Sequence, residues 1–114
     1  MSIKSIVDNF NKNVDFMTEH KISQKTVKNA ERLEKLFKDA KIESYDLVPA
    51  STGEFYFDWD TKTLSFGVAV SEDKAILEYL NKQNDYDSYV ESFKLNTKDL
   101  NSLVQIISDI LYGV

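Results

Sequence analysis

Apolar residues recur along this chain with two different periods. At the start, Ile3, Ile6, Val7, Phe10, Val14 and Met17 stand three and four residues apart, which predicts an amphipathic helix of about four turns. Its interior asparagines lower the intrinsic propensity. His20-Lys21-Ile22 reads as a connector, and Ser23 as the N-cap of a second helix running through about Lys41. The apolar stripe of that helix is Val27, Ala30, Leu33 or Leu36, Phe37 and Ala40. Glu31–Lys35 and Glu34–Lys38 fall as i,i+4 pairs on its solvent side.

After Lys41 the period changes to two. Glu43 to Val48 predicts a short strand or extended lead-in ended by Pro49, and Ser51-Thr52-Gly53 is turn chemistry. Glu54–Asp60 and Thr63–Ser71 alternate as the arms of a hairpin, and Ser71-Glu72-Asp73-Lys74 is a second tight connection. Ala75–Leu80 is compatible with helix or strand. The tight turn before it favours a strand. Ser88–Leu95 predicts another strand, with Tyr89, Glu91 and Phe93 alternating against Val90, Ser92 and Lys94. Asn96 caps a final helix, with Asp99 placed for a capping box and Leu100, Leu103, Val104, Ile107, Ile110 and Leu111 on one face. Gly113 sits where a helix stop belongs. Consecutive strands with helices grouped at both ends predict an α+β fold over residues 1–114. An antiparallel meander of about four strands packs against N-terminal helices and a C-terminal helix. The expected core of the sheet is Phe55, Phe57, Trp59, Leu64, Phe66, Val68 and Val70.

Composition adds exclusions. The 114 residues suffice for one domain and are too few for two. There is no cysteine, which removes disulfides, thiolate chemistry and Cys-ligated metals and fits a reducing cytoplasm. Early acidic Asp8 and the lack of an apolar run argue against a signal peptide, and Leu103–Leu111 is too short and too polar to span a bilayer. Residues 1–42 carry a net charge of +3 and residues 43–114 carry −8. The acidic half argues against nucleic acid as a partner, because phosphate contacts need a basic surface. The basic residues of the second helix, Lys21 through Lys41 with Arg32 among them, are interrupted by Glu31, Glu34 and Asp39.

No catalytic motif is present. His20 is the only histidine and has no visible partner, and there is no phosphate loop, dinucleotide fingerprint or nucleophile elbow. Asp85, Asp87 and Glu91 lack the spacing of a calcium loop. No metal and no cofactor are expected. Asp58 and Asp60 share a strand face about 7 Å apart, which admits paired-carboxylate or metal-assisted hydrolysis as an alternative chemistry.

The hairpin has two unlike faces. Phe55, Phe57 and Trp59 fall on one side. Glu54, Tyr56, Asp58 and Asp60 fall on the other, beside Ser65, Gly67, Ala69 and Ser71. The small residues either make room for Tyr56 or a packed helix, or floor an open groove.

The segment from Asn29-Ala30-Glu31-Arg32 through Gly53-Glu54-Phe55-Tyr56-Phe57-Asp58-Trp59 to Leu64-Ser65-Phe66-Gly67-Val68 resembles a loosely defined group of small uncharacterised bacterial and phage proteins. Their pattern is a helix, a glycine turn, a strand ending in an acidic residue and Trp, and a second alternating strand. The resemblance covers residues 29 to 80. Asp58-Trp59 stands where the group shows Glu-Trp, and Thr52-Gly53 where it shows Asp-Gly. The resemblance implies a non-catalytic interaction protein from a mobile element, of the kind that inhibits a host defence protein by stoichiometric binding, as anti-CRISPR proteins do. The expected partner is a protein with a basic surface. The expected contact residues are Tyr56, Asp58, Asp60, Tyr86, Asp87 and Tyr89. A self-associating structural protein, burying its open sheet face across a two-fold axis, is the remaining alternative.

Overall fold

The computed structural model describes residues 2–13, 21–84 and 87–113. Helix α1 spans Ile3–Lys12, α2 spans Gln24–Asp39 and α3 spans Thr97–Tyr112. Between α2 and α3 lie β1 (Asp46–Pro49), β2 (Phe55–Asp60), β3 (Leu64–Val70), β4 (Lys74–Asn81) and β5 (Tyr89–Lys94). The strands form one antiparallel sheet in sequential order, β1 to β5. The fold is α+β, and its sheet has five strands where about four were expected. The end of the lead-in, Asp46–Pro49, pairs with β2, and residues 74–81 are strand.

Each helix start is held by the residue type that does this best. Ser2 accepts from Ser5 N–H, Ser23 from Thr26 N–H and Asn96 from Asp99 N–H. Asp99 does not close a capping box on Asn96. Its Oδ2 instead accepts from the Lys94 N–H at 3.1 Å. Helix α2 stops at Asp39, short of the predicted Lys41, because Lys41 turns left-handed at φ 59°. Lys41 N–H then donates to Lys38 O at 3.0 Å, and Ile42 N–H to Phe37 O at 2.8 Å. This closure swings Ile42 into the core and leaves Ala40, expected in the apolar stripe, exposed. Helix α1 ends at Lys12 with Asn13 as its cap. Its predicted continuation through Val14 and Met17 falls outside the described residues, as do His20 and Asp85.

All three helices pack on one side of the sheet. Phe55, Phe57, Trp59, Phe66, Val68, Val70, Ala75, Leu77 and Phe93 are buried beneath Val27, Ala30, Leu33 and Phe37 of α2 and Leu100, Leu103 and Ile107 of α3. Leu64, expected there too, is only half-buried. The Phe37 ring meets Phe57 and Trp59 edge-on, with centroids 5.2 and 5.5 Å apart. Trp59 stacks on Phe66 and donates its indole N–H to Glu43 O at 3.0 Å. The lone Trp is therefore a core anchor. Helix α2 is tied to the far end of the chain as well. Arg32 donates to Leu95 O at 2.8 Å and to Thr97 Oγ1 at 3.2 Å, so the one arginine holds the junction between β5 and α3. Among the described residues no helix is long and apolar enough to cross a membrane.

Candidate functional site

Among the described residues, no helix packs on the other side of the sheet. Its side chains follow from the register. Asp46, Asp58, Gly67, Glu78 and Val90 stand in one row across all five strands. Val48, Tyr56, Ala69, Ile76 and Ser92 form the row beside it. The first row, with Val48 and Tyr56 of the second, lines a groove of about 810 Å³ that reaches Asp60, Ser65 and Leu80 at one end.

Gly67 shows how the centre of the groove is built. The turn hydrogen bond from Thr61 N–H to Leu64 O makes 61 and 64 a bonded pair, so 58 and 67 face each other as a non-bonded pair, where side chains come closest. A Cβ on Gly67 would run into Asp58 Oδ1 and would lie 2.9 Å from Phe57 O. The glycine thus makes room for the Asp58 carboxylate, which lies across it. It does not serve Tyr56 or a packed helix, the two occupants the alternation suggested. Ala69 beside it is buried and does not line the groove.

Among the described residues, four carboxylates line the groove, those of Asp46, Asp58, Asp60 and Glu78, and no lysine or arginine does. Neighbouring strands lie about 4.8 Å apart, so Asp46 is one strand from Asp58 and Glu78 is two. Burial pushes the Asp58 carboxyl above its ordinary value of 3.8, and the charges of Asp46 and Glu78 push the same way. Burial also raises the Tyr56 phenol, helped by Glu54, Glu78 and Asp58. Asp60 is compensated from outside the groove. Lys82 Nζ approaches its Oδ1 at 2.6 Å and also donates to Thr61 O at 2.6 Å. Among the described residues, Asp46, Asp58 and Glu78 have no such cation. They form a row of hydrogen-bond acceptors facing solvent. Among the described residues no three His, Cys, Asp or Glu side chains gather closely enough to hold a metal ion. Apolar surface adjoins the acids, since Val48, Leu80 and Val90 are all exposed.

Of the contact residues expected from sequence, Tyr56, Asp58, Asp60 and Tyr89 line this groove. Tyr86 lies outside the described residues. Asp87 sits in the turn between β4 and β5, where it accepts from Asn81 and Asn84 side chains, both at 3.4 Å. Tyr89, expected beside Tyr56, borders the groove, but the register gives its side chain the parity of the helix face. It pairs with Tyr79, which pairs with buried Phe66, so its side chain belongs to the helix side, stacked on the Tyr79 ring at 5.0 Å. Asp46, Glu78, Val48, Leu80 and Val90 were not anticipated. Glu78 had a signal: the turn bond between Ser71 and Lys74 fixes the β3–β4 register and sets Glu78 opposite Gly67. Tyr45 was missed as a half-buried polar group. It packs against Phe37, Phe57 and Trp59, donates to Glu34 Oε2 at 3.0 Å, and has its pKa raised to about 12 by burial and by that carboxylate. Its place on the helix side makes it part of the scaffold.

Comparison with family models, with curated proteins and with solved structures gives no match to this chain.

Proposed function

We propose that the protein is a protein-interaction module that binds a basic segment of a partner in the open groove of its sheet. The observation that carries this reading is the groove's lining: four carboxylates, no basic side chain among the described residues, and apolar surface at Val48, Leu80 and Val90. A lysine or arginine of the partner finds acceptors at Asp46, Asp58 and Glu78, and Tyr56 beside them supplies the kind of aromatic anchor that concentrates binding energy. The like charges of the row raise the cost of leaving it uncompensated, so a cationic side chain relieves repulsion as it docks. Acidic charge steers such a partner and makes the association rate fall with salt.

In its finer form this reading is the one the sequence resemblance implies, a stoichiometric inhibitor that occludes a basic functional surface of its target. A peptide library selected on the immobilised protein tests the common core of both forms. Selected sequences should be rich in Lys and Arg, and the triple variant Tyr56→Ala, Asp58→Asn, Glu78→Gln should retain none of them. Enrichment without basic residues, or equal retention by the variant, would contradict it.

A further inference from the structure

The two outer edges of the sheet are not alike. At β1, the bond from Ala50 N–H to Glu54 O fixes which residues turn their backbone inward. Asp46, Val48 and Ala50 face β2, and Leu47 and Pro49 face outward. Proline has no N–H to offer, and α1 packs beside this strand. The β1 edge is thus closed to a further strand.

At β5 the same parity argument gives the opposite result. Ser71 N–H to Lys74 O and Lys82 N–H to Thr63 O turn the even-numbered residues of β4 toward β3. The odd-numbered ones, Ala75, Leu77 and Tyr79, therefore bond to Phe93, Glu91 and Tyr89. That leaves the backbone of Val90, Ser92 and Lys94 pointing away from the sheet. Asp99 already accepts the Lys94 N–H. The usable edge is centred on Val90, whose side chain is 70% exposed, the highest among the described large hydrophobic residues.

We infer that β5 is a self-association edge, on which a second copy of the chain adds antiparallel about a two-fold axis at Val90. The axis stands normal to the sheet, so outward-facing residues must meet outward-facing residues. An axis at Glu91 would set two like charges directly opposite. An axis at Ser92 would oppose Val90 to Lys94, whose N–H is already held by Asp99. An axis at Val90 lets the two Val90 residues exchange both backbone bonds. It buries their side chains against each other and puts Glu91 of each copy opposite Tyr89 of the other. The two five-stranded sheets become one, with both acidic grooves on the same side. The contact is short and falls below the roughly 800 Å² per partner of stable dimers, so the association is in the micromolar range or weaker.

Sedimentation equilibrium of the full chain from about 1 μM to about 1 mM reads this directly. The expected result is a reversible monomer–dimer equilibrium. Val90→Lys and Val90→Glu should each raise the dissociation constant about tenfold or more, since each sets like charges opposite across the axis. An equimolar mixture of the two should form the heterodimer, counted by native mass spectrometry. Ser92→Pro removes an N–H that points to solvent, so it should keep the fold by circular dichroism and weaken the dimer. A chain that stays monomeric at the highest concentration overturns the inference. So does a dimer indifferent to Val90→Lys, or a charge-swapped pair that does not recombine.

Discussion

The two faces of one sheet carry different kinds of information. On the helix side, Phe55, Phe57, Trp59, Phe66, Val68 and Val70 are all buried, and each is explained by what packs on it. On the open side, Asp46, Asp58 and Glu78 stand in a row beside Tyr56, and nothing within the described chain explains their being together. Holding a charged Asp58 there costs stability, because burial first and the charges of Asp46 and Glu78 second raise its carboxyl. A fold can dispense with such a row, whereas it cannot dispense with the aromatic face behind it. That contrast is why the function is sought on the open face.

The contrast can be broken most forcefully at neighbouring positions of β2. Phe57→Ala empties a fully buried site and should cost about 3–5 kcal/mol in denaturant unfolding, while Tyr56→Ala, one residue away, should cost less than about 1 kcal/mol. Comparable losses at both positions would mean that the open face is structural too.

Gly67→Ala comes next. Its Cβ has to displace the Asp58 carboxylate and presses on Phe57 O, and overpacking of this kind costs about 1–3 kcal/mol. Only part of that loss should be recovered in an Asp58→Ser background, because the backbone oxygen remains. Full recovery would mean that the glycine serves the carboxylate alone.

The charge row gives a smaller effect with a definite sign. The folded-state value of Asp58 is raised above 3.8, so the folded protein holds this proton more tightly than the unfolded chain. The associated stability is complete below 3.8 and is lost as pH rises through the raised value. Asp58→Asn should therefore melt higher than the parent at pH 7, and the advantage should vanish as the pH falls below 3.8. An advantage that persists in acid would point to a cause other than charge. Smallest of all, Lys82→Ala should change stability by about 0.5 kcal/mol, because its ion pair with Asp60 is solvent-exposed.

What could be read from the sequence follows the same division. The N-caps at Ser23 and Asn96, the stripes of α2 and α3 apart from Ala40, and the core face of the hairpin apart from Leu64 are local patterns that stand where the periodicity puts them. Tight turns carry register as well, which places Gly67 opposite both Asp58 and Glu78. The place of Asp46 beside Asp58 was not legible, because the longer connection from Ala50 to Glu54 does not fix a register on its own. Tyr89 borders the groove, yet its side chain shares the parity of Phe93, the one buried residue of β5, and stacks on Tyr79 instead. The early end of α2 depends on a lysine taking a conformation that glycine usually fills, and no propensity announces that.

The central claim is that the open face, and the Asp46–Asp58–Glu78 row in particular, receives a basic segment. The most direct measurement is an amide NMR titration of the labelled protein with an Arg- and Lys-bearing peptide from the library selection. The account predicts shifts concentrated at Asp58, Gly67 and Glu78, weakening as salt is raised and absent in the Asp58→Asn, Glu78→Gln variant. Shifts confined to the exposed faces of α2 or α3, with the Gly67 amide unmoved, would contradict it.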